Sequence, residues 1–302
     1  MSAGVGGLLV SVPATSANVG VGYDCLGLAL DLFARFRFER ADALAIDGCP
    51  ERFRGADNLV WTSYLEACRQ MYQRPLGLHV SIDSPIPLSG GLGSSSTCVV
   101  AGVIAAQLLH GHPLDQSRVL DIATIIEGHP DNVAPAVLGG LVSSFTDTRR
   151  TRSLRFDVHD ELRFVAIAPP YEVRTADARK AMPTSVPTEL AVWQLGHCVA
   201  CVEALRSADM ELLSAACQDR LHEPHRSKLI RDYEPLRRTA LAAGAAAFLI
   251  SGSGSTMLAV CKGDDEAQKV GEAVLGMVEN HVEGLWVRTL RASAAGACAQ
   301  TV

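Results

Sequence analysis

The chain has 302 residues, a formal net charge of −6, 48% hydrophobic and 20% charged residues. At roughly 100–200 residues per domain, this is a soluble globular composition with room for two domains. The mild acidity argues against nucleic-acid or anionic-membrane partners, which call for a basic face.

The opening MSAGVGG has neither a basic nor an apolar leader segment, so no secretory signal is expected. Leu8 to Val12 predicts a strand, and the alternation over Phe36 to Glu39 predicts a second, half-exposed one. Asn58 is placed to cap a helix from Leu59 to about Tyr72. Leu78, Val80 and Ile82 alternate with His79, Ser81 and Asp83 as another strand, which Pro85 and Pro87 end. A glycine-rich turn then opens into an almost wholly apolar helix, Ser94 to Leu109, expected to be central. Helices follow at Gln116 to Glu127 and from about Asn132 to Gly139. The polar stretch Thr146 to Arg155 marks a domain boundary, giving units 1–150 and 151–302. Beyond it come a strand (Arg163 to Ala168), a long helix (Glu189 to Ser207) and two strands (Ala246 to Ser251, Thr256 to Cys261) around a glycine-serine turn. A helix (Asp264 to Val278) and a last strand (Leu285 to Leu290) complete the order. Hairpin-like and helix-linked strands together indicate an α+β fold. The apolar run Ala240 to Ile250 is far short of the ~20 residues of a membrane span.

Nine scattered cysteines suit a reducing cytoplasm better than a disulfide framework. The Cys198-x-x-Cys201 pair lies in a helical pattern without a second ligand pair, so small helix residues are the expected reading.

Three motifs carry chemistry. The strongest is Pro87-Leu88-Ser89-Gly90-Gly91-Leu92-Gly93-Ser94-Ser95-Ser96-Thr97. Its turn-to-helix junction offers free N–H groups and the positive end of a helix dipole to an anion. A Walker A loop is excluded because Ser94 stands where lysine is needed, and GxGxxG fails at Ser96. No lysine occurs before Lys180, so amides, arginine or Mg²⁺ must neutralise phosphate in this half. The second motif, Pro13-Ala-Thr-Ser-Ala-Asn18-Val-Gly-Val-Gly-Tyr-Asp24, follows a strand, with Asn18 and Asp24 able either to recognise a ligand or to cap local backbone. The third, Ser251-Gly-Ser-Gly-Ser-Thr256, reads by itself as a hairpin turn.

In this order and spacing the three motifs resemble the GHMP kinases, over almost the whole chain. The segments PATSANVGVGYDCLGLAL, Glu127-Gly-His-Pro-Asp-Asn-Val-Ala-Pro-Ala136 and Asp219-Arg-Leu-His-Glu-Pro-His-Arg-Ser-Lys-Leu-Ile230 resemble the homoserine kinase branch in particular. Gly90 and Ser255 depart from the pattern, which usually has a larger residue and a proline there.

The resemblance implies a two-domain fold, with a ribosomal-protein S5-like N-terminal domain and a ferredoxin-like C-terminal domain. It implies ATP as co-substrate with Mg²⁺, L-homoserine as acceptor, and leaves a homodimer open. By the same resemblance, residues 87–97 bind ATP, while Ser95 and Glu127 hold the metal. A zwitterionic acceptor needs an anion for its ammonium and a cation for its carboxylate. Asp24 is assigned the first role, Arg179 and Arg226 the second, since arginine grips carboxylates bidentately. Asn18 and Asn132 contact polar groups of the substrate, Asn132 nearest the hydroxyl. Asp131 is the nominal base, yet it is equally placed to cap the following helix, and the base stays unassigned. His129 and His222 are read first as structural. The competing functions are another alcohol kinase of this fold, of threonine or mevalonate type, and an inactive binding protein.

Overall fold

A computed structural model describes residues 7–88, 90–147, 150–277 and 284–302. Ser89 of the phosphate motif and Val278, expected to end a helix, lie outside the described residues. The architecture is mixed α+β, built on two sheets.

Strands β1 (Leu8–Ala17) and β2 (Leu26–Arg40) form a long antiparallel pair, and residues 18–25 between them carry most of the second motif. Phe36 and Phe38 point into the core while Arg35 and Arg37 face out, the alternation expected of a half-buried strand. After β3 (Ala45–Asp47), helix α1 (Leu59–Gln70) starts where Asn58 Oδ1 accepts the Val60 N–H at 2.8 Å. Strand β4 (Leu78–Asp83) leads to α2 (Ser94–Leu109), which is buried on nearly every face and packs against β1 and α1. Helices α3 (Gln116–Glu127) and α4 (Val133–Leu138) pack beside it, and β5 (Leu141–Asp147) and β6 (Arg150–Phe156) form a hairpin.

The second sheet is antiparallel, in the order β10 (Trp286–Leu290), β7 (Leu162–Ala168), β9 (Met257–Lys262), β8 (Ala247–Ile250). Between β7 and β8 run α5 (Thr175–Lys180), α6 (Thr188–Ser207), α7 (Met210–Ala216), α8 (Glu223–Arg226) and α9 (Tyr233–Ala242). Helices α9 and α10 (Gly263–Gly276) cover one face with a core of Leu236, Phe248, Val270 and their neighbours. Residues of the other face, such as Phe164 and Leu258, join the core cluster that continues into the first sheet.

Of the stretch Thr146 to Arg155, expected as a boundary, residues 146–147 end β5 and residues 150–155 belong to β6, while residues 148–149 lie outside the described residues. The polarity of β6 is that of an edge strand, since among the described residues it pairs only β5 and exposes much of its length. The change of sheet comes after Phe156. The last strand, β11 (Cys298–Thr301), pairs Leu8 to Ser11 of β1, so the chain's end belongs to the first sheet. Cys198 and Cys201 lie one turn apart on α6, with Cys201 Sγ 3.4 Å from Cys217 Sγ. No described helix is long and apolar enough to cross a membrane.

Candidate active site

The glycine-rich loop is shaped by what it touches. Gly91 has φ +90°, and a Cβ there would lie 2.3 Å from the Ser251 carbonyl oxygen. Gly93, the residue before α2, has φ +67°, and its Cβ would lie 2.0 Å from Thr15 Oγ1. Both positions therefore exclude a side chain on conformational and steric grounds. Main-chain bonds tie the three motifs together: Thr15 N–H to Leu92 O (3.1 Å), Thr256 N–H to Gly90 O (2.8 Å) and Gly252 N–H to Ala17 O (3.0 Å). The third motif is thus a hairpin turn used as a wedge against the other two. The loop ends on the first turn of α2, where the opening N–H groups face no i−4 carbonyl and the dipole is positive. Leu92 turns its side chain into the core and contributes backbone, while Gly91, Gly93, Ser94, Ser95 and Thr97 line a cleft of about 380 Å³. Leu88, half exposed, lines it too, whereas Pro87 borders a neighbouring groove.

At the loop mouth, the hydroxyls of Ser95 and Ser96 donate to Glu127 Oε1 at 2.6 and 3.0 Å. Glu127 ends α3, which Gly128 closes in a left-handed conformation. Sequence paired Ser95 with Glu127, and the fold brings them together; Ser96, assigned to ATP but not to the metal, adds a third oxygen. Among the described residues Glu127 Oε2 has no hydrogen-bond partner, and no group of three or more His, Cys, Asp or Glu converges on a metal position.

One end of the cleft is apolar. Phe53, Leu59, Ile82, Ile86 and Cys98 line it, and burial pushes the Cys98 thiol up to about 12, keeping that wall neutral. The other end collects the residues assigned to the acceptor: Asn18, Asp24, Asp131, Asn132, Arg179 and Arg226. Thr15 Oγ1 donates to Asn132 Oδ1 at 2.8 Å, which leaves the amide NH₂ of Asn132 as its remaining polar group. Asp131 Oδ1 accepts from His129 Nδ1 and from the Asn132 N–H (2.9 Å), so its carboxylate organises the turn into α4. The hydrogen bond to Asp131 raises the His129 pKa and favours an imidazolium in the cleft. Asn18 uses both ends of its amide, donating to Gly252 O and accepting the Asp24 N–H, each at 2.8 Å. Arg179 grips Asp24 with two bonds of 3.1 Å. Arg226, 2% exposed, donates Nη1 to Gly252 O at 2.8 Å and stacks its guanidinium 4.9 Å over Tyr23; its Nε is buried without a partner among the described residues.

Behind this pocket the segment Asp219 to Arg226 works as a support. Asp219 Oδ1 accepts the N–H groups of Leu221, His222 and Glu223. His222 is wholly buried, 3.2 Å from Gly20 O, and burial lowers its pKa, so it props the second motif from behind as a neutral ring. Glu223 accepts from Tyr233 Oη (3.1 Å) and the Ile250 N–H (2.8 Å), and burial pushes its pKa from 4.5 to about 8. A carboxyl with a raised folded pKa holds a proton the unfolded chain releases. Its contribution is therefore complete below about pH 4.5 and is lost as pH climbs towards 8. Glu223→Gln should flatten the pH dependence of Tm between pH 5 and 8 and raise Tm at pH 8 by a few degrees. A lower Tm at pH 8 would contradict this account.

Some of the site carried no sequence signal. The Gly252 carbonyl, shared by Asn18 and Arg226, is backbone. The apolar wall comes from segments without a motif. Thr15 lies inside the second motif, and its proximity to Gly93 and Asn132 depends on the fold.

The chain matches the model of the GHMP kinases N terminal domain over residues 58–140 and that of GHMP kinases C terminal over residues 201–280. It is 40% identical over 268 residues to a homoserine kinase of Synechococcus sp., covering 84% of each chain. To a homoserine kinase of Clostridium botulinum it is 35% identical over 258 residues, covering 85% of this chain and 87% of that one. Among solved structures, a homoserine kinase from Cytophaga hutchinsonii superimposes with a TM-score of 0.88 at 30% identity, with 99% of each chain covered.

Proposed function

The chain belongs to the GHMP kinase family, in its homoserine kinase branch, and on that premise we propose that it transfers the γ-phosphoryl group of ATP to the side-chain hydroxyl of L-homoserine, releasing O-phospho-L-homoserine and ADP. The observation that carries this reading is one continuous cleft joining a helix N-terminus to a pocket with both an anion and two cations.

The apolar end takes the purine and the loop from Gly90 to Thr97 takes the phosphates. Phosphoryl transfer has a loose transition state, so catalysis rests on placing the acceptor in line and stabilising charge. Asn132, fixed by Thr15, offers its NH₂ near the acceptor hydroxyl, and the hydrogen bond to Asp131 biases His129 towards its charged form. Asp24 receives the ammonium, while Arg179 and Arg226 receive the carboxylate. Asp131 takes two donors on Oδ1 and is assigned to positioning; with a loose transition state no residue is named as base.

Ser95 and Glu127 are hard oxygen donors of the kind Mg²⁺ takes, and they would hold it with phosphate oxygens and water completing its shell. When bound, the ion supplies the neutralisation that a helix end, worth about half a charge, cannot give a triphosphate. Nine free thiols fit a cytoplasmic enzyme. A homodimer is carried over from the family resemblance alone.

An ADP-release assay with homoserine, threonine, serine and mevalonate tests the reading. L-homoserine should give the highest kcat/KM, since mevalonate has no ammonium for Asp24. Mevalonate as the better acceptor would overturn it.

A further inference from the structure

The groups assigned to the acceptor are, in this structure, partners of one another. Arg179 Nη2 and Nη1 donate to Asp24 Oδ1 and Oδ2, both at 3.1 Å, so the fork fills both oxygens of the carboxylate. The backbone N–H of Asp24 is held by Asn18, and Asn18 shares the Gly252 carbonyl with Arg226. This network fixes the Asp24 loop, whose residue 24 sits at φ +54°, opposite the short helix α5 that carries Arg179. The other carboxylates nearby are each engaged through one oxygen: Asp131 Oδ1 accepts from His129 and the Asn132 N–H, and Glu127 Oε1 from two serine hydroxyls. Asp24 is thus the acceptor end's one carboxylate assigned to an ammonium, and a guanidinium already holds it.

We propose that the Asp24–Arg179 ion pair is an internal competitor of the substrate, opened without loss by a zwitterionic amino acid and closed against acceptors that carry one charge. The proposal rests on the acceptor reading above. A 2-amino acid offers its ammonium to Asp24 and its carboxylate to Arg179, so one ion pair is replaced by two. An amino alcohol satisfies Asp24 and strands Arg179. A hydroxy acid satisfies Arg179 and strands Asp24, but Arg226 remains as a second cation for it. Exclusion is therefore stricter for amines than for acids. The side chains are 40% and 36% exposed, so water reaches the pair and it can open without unfolding anything around it.

The discriminating probes are homoserine and its two truncated forms, 3-amino-1-propanol and 4-hydroxybutyrate. Arg179→Met should lower kcat/KM for homoserine at least ~10-fold, as loss of a charge-assisted contact does. The same change should raise kcat/KM for 3-amino-1-propanol by about two- to five-fold, the range set by an exposed ion pair. Asp24→Asn should likewise improve 4-hydroxybutyrate while impairing homoserine. Arg179→Lys keeps the charge and loses the two-point grip. It should also admit the amino alcohol better than the wild type, whereas bare charge repulsion predicts no gain. If Arg179→Met impairs homoserine but none of these variants improves a truncated acceptor, the competitor is refuted and the acceptor reading stands. If homoserine turnover is untouched by Arg179→Met, the acceptor reading itself fails.

Discussion

Replacing Glu127 by glutamine should lower kcat by at least ~100-fold, about 2.7 kcal/mol in the barrier, with the fold intact. Glutamine keeps the shape and the Oε1 acceptor used by Ser95 and Ser96, so the contact between α2 and α3 survives. What disappears is the charge. Glu127 ends α3, where a carboxylate opposes the helix dipole, so its removal should leave Tm equal or slightly higher. A residue unfavourable to its own helix and placed beside the phosphate loop is explained by a cation held there with ATP. Raising Mg²⁺ should recover part of the lost rate, and the affinity for Mg·ATP, read by calorimetry, should fall with it. A well-folded variant with near-normal turnover at low Mg²⁺ would remove Glu127 from the metal site.

The elements that sequence exposed are those whose signals are local. Asn58 begins α1 by its side chain, the proline pair ends β4, and an all-apolar run marks α2 as central. Elements held by distant partners gave nothing to read. The register of β11 is set by β1, almost 290 residues earlier, and its four residues are mostly exposed. β6 looks like a linker because an edge strand blunts itself with arginine. The same division holds in the site. Glycine turns announced the phosphate loop, but why Gly91 and Gly93 must be glycine follows from Ser251 and Thr15, which meet them through the fold. Asn18 shows the limit most sharply. Sequence offered ligand contact or a local cap. The structure has it accepting the Asp24 N–H six residues on and donating across to Gly252. Its amide is committed on both sides, and it holds Asp24 in place. The Asp24–Arg179 pair spans 155 positions, and no spacing rule connects its members.

Arg226→Met should raise KM for homoserine roughly ten- to hundred-fold, the loss of a charge-assisted contact of about 1.5–3 kcal/mol, while KM for ATP changes little. The effect should exceed that of Arg179→Met for two reasons. Arg226 is 2% exposed, so solvent screens its contact less, and it is not already bound by a rival carboxylate. The fold should tolerate the change. Gly252 O keeps its bond from Asn18, so the wedge of the third motif is not left unpaired. Arg226 is buried with its Nε unpaired among the described residues, a desolvation cost that methionine removes while filling the space over Tyr23. An unchanged or higher Tm is therefore expected alongside the weakened binding. Arg226→Lys should fall between the two, because it keeps the charge but not the planar fork. If ATP binding collapses in Arg226→Met while homoserine binding survives, Arg226 serves the phosphates and its assignment to the acceptor carboxylate is wrong.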